Sequence, residues 1–135
     1  MRKLYLPTTD LSPEIIFSHE EKLFRIKGNS RPENVRDIYE PVVQWLKNYK
    51  EYLSEDGSDY NKENPLILQF DLDYFNSSSA KYLYDIVMVL KAFDKEQIPI
   101  AITWAYDPAD TDSREAGEDL ATLAEIDFIF IKKEG

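Results

Sequence analysis

Hydroxyl and carboxylate side chains cluster where the apolar run "LILQFDLD" meets the helix-like segment "YFNSSSAKYLYDIV". Asn76, Ser77, Ser78 and Ser79 stand in succession at the predicted helix start. Asn and Ser are preferred N-caps because their side-chain oxygens accept hydrogen bonds from unpaired backbone N–H groups. One such residue is enough for a cap. The run therefore either serves capping alone, in a purely structural interaction module, or has a second role as a nucleophile or a site of covalent modification.

A catalytic serine is the first alternative, since Ser78 and Lys81 form a Ser-x-x-Lys pair. That chemistry requires a lysine with a lowered pKa, which takes the serine proton. The Ser-Asp-Asn and Lys-Thr-Gly elements that accompany such a pair are absent, and the chain of 135 residues is too short for that fold. The sequence therefore disfavours a serine acyltransferase.

A magnesium-dependent phosphotransferase is the second alternative. Asp71 and Asp73 end an apolar strand, and strand alternation predicts that both carboxylates lie on one face. Two such carboxylates can hold Mg²⁺ and attack phosphorus. However, Phe75 stands where these enzymes carry Thr or Val, and no clear lysine motif follows. The simpler interpretation is a pair of solvated carboxylates at a strand end.

A phosphorylation switch is the third alternative. A phosphoryl group on a serine at a helix start adds about -1.5 to -2 charges. The helix dipole favours negative charge there by roughly 0.3 to 1 kcal/mol, so the fold tolerates the change. A partner docked over that serine would have to desolvate the dianion, at a cost of several kcal/mol. The hydroxyl-rich junction is therefore suited to a switch that changes the surface and leaves the fold intact.

Three weaker features lie elsewhere. Trp104 and Tyr106 end a predicted strand, where open sheets often bind ligands or partners. His19 lies in a predicted hairpin loop with no catalytic neighbour in sequence. An acidic run lacks the spacing and the glycine of a calcium loop and is expected to be solvated; it comprises Asp107, Asp110, Asp112, Glu115, Glu118 and Asp119.

Composition narrows the function classes. The net charge is -10 and the chain contains 43% hydrophobic residues, so we expect a folded acidic domain that binds neither nucleic acid nor anionic membranes. With no cysteine and a single histidine, thiol catalysis, disulfides and multi-histidine metal sites are excluded. No cofactor is expected. The N-terminal segment lacks the apolar core of a signal peptide, so we expect a cytoplasmic protein.

The elements that position these residues follow from hydrophobic periodicity. Apolar alternation or short apolar runs predict strands at 3–6, 14–18, 22–28, 65–73, 98–106 and 126–133. Apolar residues at three- and four-residue steps predict a helix that ends near Leu53 and another that opens near Asn76 or Ser77. Ser30 is expected to cap the first helix, with Pro32 in its first turn and Pro41 kinking it or marking its true start. A third, short helix is expected after the acidic loop.

The order β-β-β-α-β-α-β-α-β alternates after the opening strands. Such alternation implies parallel strand pairs with right-handed crossovers. The sequence therefore predicts one α/β domain over residues 1–135, with a mixed sheet and about three helices packed on it.

The sequence also resembles the SiaC family of bacterial regulatory phosphoproteins. The resemblance is carried by "YFNSSSAK" at 74–81, "SRPENV" at 30–35, "WAYD" at 104–107 and "EAGEDLA" at 115–121, and it spans nearly the whole chain. These proteins are in turn similar to anti-anti-sigma factors of the STAS-like fold, whose switch serine lies at a helix start. The family's phosphorylated residue is usually the threonine of an Asn-Thr-Ser-Ser run, and Ser77 occupies that position here.

The resemblance implies a non-enzymatic regulator with several protein partners. They are a kinase that modifies it, a metal-dependent serine/threonine phosphatase that restores it, and a diguanylate cyclase that the unmodified form activates, which links it to cyclic-di-GMP signalling and biofilm formation. We expect phosphorylation at Ser77, with Asn76 shaping the loop, Ser78 and Ser79 capping the helix and Lys81 one turn in. The expected partner contacts are Tyr74, Phe75, Trp104 and Tyr106.

Overall fold

The computed structural model describes residues 1–134 and confirms the predicted element order. The strands are β1 (Leu4–Leu6), β2 (Glu14–Ser18), β3 (Leu23–Ser30), β4 (Leu66–Phe75), β5 (Ile100–Tyr106) and β6 (Ile129–Lys132). The helices are α1 (Val35–Asp56), α2 (Ser77–Lys95) and α3 (Thr111–Ala124). None of the helices in this described part is long and apolar enough to cross a membrane.

The six strands form one mixed sheet in sequential order, β1-β2-β3-β4-β5-β6. β1, β2 and β3 pair antiparallel, whereas β3, β4, β5 and β6 pair parallel. Each parallel connection passes through one helix, and right-handed crossovers that all advance in the same direction place their helices on the same face of the sheet. α1, α2 and α3 therefore cover one face, and the other face carries no helix.

Strand alternation decides which side chains enter the core. Phe24 and Ile26 of β3 are buried under the helices, as predicted, while Arg25 and Lys27 point to the uncovered face. The same period runs through β4, where Leu68 is fully buried and Ile67 is 40% exposed. The core is thus a single layer between the sheet and the three helices.

The start of α1 differs from the prediction. Asn34 caps the helix by accepting a hydrogen bond from the Asp37 backbone N–H. Ser30 is instead the last residue of β3, fully buried, and Pro32 precedes the cap. α1 begins at Val35, so Pro41 lies inside the helix and does not mark its start.

A bulge in β4 reverses the expected alternation just before the serine run. Gly28 pairs with Leu72, but the next residue of β3, Asn29, pairs with Tyr74, so Asp73 is the extra residue. A bulge of this kind changes which face the following side chains occupy. Tyr74 consequently points to the uncovered face, while Phe75 turns toward the helices.

His19 lies in the hairpin between β2 and β3, and its imidazole contacts the hydroxyl of a core tyrosine. Its Nδ1 lies 2.6 Å from the hydroxyl of the fully buried Tyr49, which in turn lies 2.9 Å from the Tyr60 hydroxyl. Burial of the imidazole, then the positive charges of Lys22 and the N-terminus, lower the pKa of His19 below 6.5; Asp59 and Glu20 oppose that shift.

We expect the free energy of unfolding to fall as the pH drops from about 7 toward about 5. The unfolded chain binds a proton on His19 more readily than the folded chain does, because the folded-state pKa is the lower one. The contribution of neutral His19 to the free energy of unfolding is complete at pH values above its pKa in the unfolded chain. It is lost as the pH falls through its pKa in the folded chain. Urea unfolding of the wild type and His19→Gln across this range checks it. Equal pH slopes in the two proteins would contradict the prediction.

Candidate functional site

Ser77 is the first residue of α2, at the edge of the sheet where the parallel strands end. Asn76 provides the N-cap: its side-chain oxygen accepts a hydrogen bond from the Ser79 backbone N–H at 2.9 Å. The cap is therefore the asparagine side chain, and neither Ser78 nor Ser79 caps the helix as expected. Ser77 and Ser78 are both exposed, and within residues 1–134 no side-chain hydrogen bond engages either hydroxyl.

The first turn of α2 also lacks an acidic residue, unlike the other two helices. α1 has Asp37 in its first turn and α3 has Asp112. Unpaired N–H groups at a helix start favour negative charge, and side-chain carboxylates commonly supply it. The exposed start of α2 is thus able to accept an added negative charge at Ser77 without displacing an existing one.

Ser79 belongs to a buried chain of hydroxyl groups that ties α2 to β3 and α1. Its Oγ donates to the Ser30 carbonyl oxygen at 3.1 Å and accepts from the Ser30 hydroxyl at 2.8 Å. The Tyr39 hydroxyl lies 2.6 Å from Ser30 Oγ. Because the Ser30 hydroxyl donates to Ser79, the Tyr39 hydroxyl is the donor in this bond. Burial raises the pKa of Tyr39 to about 12, although its bond with Ser30 lowers it somewhat. This chain fixes where the helix, and with it Ser77, begins.

Sequence patterns did not reveal this hydroxyl chain. Ser30 is 49 residues before Ser79 in the chain, and the Asn76 backbone N–H also donates to the Ser30 carbonyl, at 3.0 Å. The alignment depends on parallel pairing of β3 with β4 after the bulge, which places Ser30 beside Phe75. The predicted strand 22–28 ends two residues before Ser30, so no local pattern pointed to this contact.

We expect Ser79→Ala to lower the free energy of unfolding by about 1 to 2 kcal/mol, because it leaves the buried Ser30 hydroxyl without its acceptor. Ser78→Ala is the matched control. Ser78 is exposed and its hydroxyl is unbonded within the described chain, so its removal should change stability by less than about 0.5 kcal/mol. Chemical unfolding of both variants measures the difference. Equal stabilities would show that the hydroxyl chain does not hold the start of α2.

The four predicted contact aromatics separate into exposed and buried residues. Tyr74 is 54% exposed beside the helix start. Phe75 is partly buried, with its ring edge-on to the Trp104 ring at 5.8 Å. Tyr106 is also partly buried, and its hydroxyl accepts a hydrogen bond from Arg114 at 3.1 Å.

Trp104 is a core residue, so its side chain does not lie on the surface where the predicted partner contact was placed. It is 2% exposed because alternation along β5 turns its side chain under α3. Its indole N–H donates to the Ser113 carbonyl at 3.0 Å, and its ring stacks on the Phe128 ring with centroids 6.0 Å apart. Trp104 therefore positions Phe75 and α3 from below the surface.

An apolar groove runs from the switch region along the line where α2 and α3 meet. Its volume is about 430 Å³, and Leu123 on its α3 wall is 67% exposed. Lys81 contributes its stem and charge one turn after Ser77. We call this the α2–α3 groove; it is lined by Phe75, Ala80, Lys81, Tyr84, Ala116, Asp119, Leu120 and Leu123.

The two aspartates of β4 share one lysine that sequence patterns did not identify. Lys133 Nζ lies 2.6 Å from Asp71 Oδ1 and 3.3 Å from Asp73 Oδ1. Burial lowers the pKa of Lys133. The two aspartates accept hydrogen bonds from the ammonium group and stabilise its charge, and these effects outweigh burial and raise the pKa above 10.5. Both carboxylates therefore lie on one side of the strand, as predicted. No group of three His, Cys, Asp or Glu residues in the described chain is placed to hold a metal ion.

Acidic residues after β5 act largely as local turn and cap groups. Asp107 accepts a hydrogen bond from the Ala109 backbone N–H at 2.8 Å, and Asp110 caps α3 by accepting from the Asp112 N–H at 3.0 Å. Glu118 pairs with Arg114 one turn away. Asp110 and Asp112 also line a recess beside Phe75, so the switch region has an acidic border.

This arrangement defines a class of protein. A mixed sheet with three helices on one face makes the chain a single α/β domain, with an exposed serine at the start of a crossover helix. The family model described as "SiaC family regulatory phosphoprotein" matches residues 6–133. The chain belongs to the SiaC family.

Solved structures and a curated relative agree with that assignment. The structure of apo-SiaC from Pseudomonas aeruginosa has 27% sequence identity and a TM-score of 0.77, and the match covers 99% of this chain and 100% of that chain. Similar values, 27% and 0.77, hold for SiaC in the structure of diguanylate cyclase SiaD in complex with its activator SiaC, over 96% of this chain and 97% of that chain. A curated but uncharacterized protein of P. aeruginosa strain UCBPP-PA14 is 29% identical over 107 residues, 79% of this chain and 78% of its own length.

Proposed function

We propose that this protein is a regulator whose binding to a diguanylate cyclase is switched by phosphorylation of Ser77. The observation that carries the proposal is the position of Ser77, an exposed hydroxyl at the first residue of α2 in a helix already capped by Asn76. A kinase can reach such a hydroxyl without unfolding the helix. SiaC of P. aeruginosa is the activator of diguanylate cyclase SiaD, which supports a cyclase as the partner.

The surface around Ser77 supports docking of a protein. Tyr74 is exposed on one side of the helix start, and the α2–α3 groove opens on the other through Phe75 and Lys81. Apolar surface with a few polar groups at its edge is the composition of interface cores. In this proposal the unmodified form binds the cyclase, a cognate kinase adds the phosphoryl group and a metal-dependent serine/threonine phosphatase removes it.

Intact-mass measurement of the protein purified from its native cell tests the modification. We expect a species heavier by one phosphoryl group, which fragmentation locates on Ser77 and which phosphatase treatment removes. Ser77→Ala should lack this species, whereas the neighbouring Ser78→Ala should retain it. Modification located on Ser78, or an unmodified protein under all growth conditions, would contradict the assignment.

A phosphotransferase centred on Asp71 and Asp73 is the competing function. Its support is the pair of carboxylates on one side of the strand end, since two such carboxylates can hold Mg²⁺, although Lys133 already pairs with both. The protein is incubated with Mg²⁺ and small phosphoryl donors, and release of phosphate is followed. We expect no turnover. Turnover that Asp71→Asn abolishes would favour the enzyme over the regulator.

A further inference from the structure

One face of the sheet carries no helix, which is unusual for a sheet that consists largely of parallel strands. Parallel strands are generally covered on both faces, yet β3 to β6 form a four-stranded parallel sheet with helices on one face only. On the uncovered side, one residue from each of the six strands pairs with its neighbour to form a continuous row across the sheet. That row comprises Tyr5, Ile16, Arg25, Gln69, Thr103 and Ile129, and we call this surface the open face.

Several large apolar side chains are exposed on the open face. Tyr5 is 51% exposed, Ile67 40%, Ile129 55% and Ile131 47%. Tyr74 joins them at the carboxyl end of β4, because the bulge at Asp73 turns it to this side. Of the nine exposed large hydrophobic residues in the described part of the chain, five therefore share one surface, a concentration that marks interaction sites.

Charge on the open face decides the kind of partner. Glu14 pairs with Arg25 at 3.1 Å, and Lys133 pairs with Asp71 and Asp73. With Lys27, which is beside Asp71 in the sheet, the face carries three positive and three negative side chains. The whole chain has a net charge of -10, so two copies repel each other across most of their surfaces. Across the open face the local charges balance, so the repulsion is weaker there.

We propose that two copies of this chain pack open face to open face as a two-fold dimer. Two sheets pack in this way at a separation of about 10 Å, with interdigitated side chains. A two-fold arrangement brings the same patch of each copy together, which a patch with balanced charges allows. The α2–α3 groove and Ser77 lie on the helix side of the sheet and stay accessible in the dimer. The dimer therefore leaves Ser77 and the groove free for the proposed switch, while Tyr74 at the carboxyl end of β4 borders both surfaces.

Sedimentation velocity of the full-length protein over a range of concentrations tests the dimer. We expect a reversible monomer–dimer equilibrium. Ile129→Glu buries an unpaired carboxylate in the contact and should raise the dimer dissociation constant at least about a hundredfold. Ile67→Glu, on a different strand of the same face, should have the same effect. Unchanged circular dichroism and melting temperature show that each variant is folded, as expected for positions that are 55% and 40% exposed.

Leu123→Glu is the matched control for added charge. Leu123 is 67% exposed but lies in the α2–α3 groove on the helix side. It should leave the dimer constant unchanged and weaken binding of the cyclase, whereas Ile129→Glu should do the reverse. A protein that stays monomeric at all concentrations, a dimer that tolerates both open-face variants, or a dimer broken by Leu123→Glu would each overturn the proposal. The effect of these variants on cyclase binding tests the proposed function and not the dimer.

Discussion

Ser77→Asp is expected to weaken binding to the diguanylate cyclase at least about a hundredfold and to leave the melting temperature nearly unchanged. The two halves of this result have separate physical causes. A carboxylate at a docked surface has to be desolvated, which costs several kcal/mol if no partner group pairs with it, and roughly 1.4 kcal/mol corresponds to a tenfold change in affinity. At the start of α2 in the isolated protein, the same charge stays in water and interacts favourably with the helix dipole.

Asn76 and Ser79 explain why the helix should tolerate the change. The cap bond joins the Asn76 side chain to the Ser79 backbone N–H, and the buried hydroxyl chain anchors Ser79 to Ser30. Neither contact involves the Ser77 side chain. α2 also has no acidic residue in its first turn, so the new carboxylate meets no neighbouring carboxylate of that turn.

Ser78→Asp and Ser77→Ala complete the experiment, with affinity measured by calorimetry. Ser78 is also exposed, but consecutive residues of a helix point about 100° apart, so a carboxylate there should disturb a surface centred on Ser77 less. Ser77→Ala should bind as the wild type does. If Ser77→Asp retains full affinity, or if it unfolds the protein, Ser77 is not the switch. If only Ser78→Asp abolishes binding, the switch is the neighbouring serine.

Local patterns predicted the architecture well because the relevant periods are strong. The strand at 14–18 has the predicted bounds, and the buried pair Phe24 and Ile26 follows directly from alternation. The helix start at Ser77 was predicted from cap chemistry. What these patterns share is that each depends on residues close together in the chain.

Features that depend on distant residues were missed or misassigned. The bulge at Asp73 arises from pairing with Gly28 and Asn29, and it decides that Tyr74 is exposed while Phe75 packs inward. Ser30 was predicted as a cap because nothing local shows that its hydroxyl meets Ser79. Trp104 was predicted as a contact because its place at a strand end does not reveal that α3 covers it. Lys133 reaches Asp71 from two strands away in the sheet.

Gly117 shows how one such distant contact controls stability. Gly117 lies inside α3, directly against the ring of the buried Trp104. A Cβ atom built at this position would lie 2.6 Å from both Cδ1 and Nε1 of the indole. The ring has little room to move, because its N–H donates to the Ser113 carbonyl and its face stacks on Phe128. The glycine of the "EAGEDLA" segment therefore allows the close approach of helix and strand.

We expect Gly117→Ala to lower the free energy of unfolding by about 1 to 3 kcal/mol, the usual cost of overpacking a well-filled core. The sign is the informative part. In an ordinary helix interior, replacing Gly with Ala raises stability by roughly 0.5 to 1 kcal/mol, since alanine loses less backbone entropy on folding. Here the clash with the indole outweighs that gain. Urea unfolding at constant pH measures the change directly.

A double-mutant cycle with Trp104→Phe isolates the contact from other effects of each substitution. Phenylalanine lacks part of the indole that faces Gly117, so the Gly117→Ala cost should shrink or reverse in the Trp104→Phe background, with an interaction free energy of about 0.5 to 3 kcal/mol. If Gly117→Ala costs the same in both backgrounds, the indole is not the obstacle. If Gly117→Ala stabilises the wild type, α3 shifts away from β5 at little cost, and the groove that α3 forms with α2 is adjustable and not fixed by Trp104.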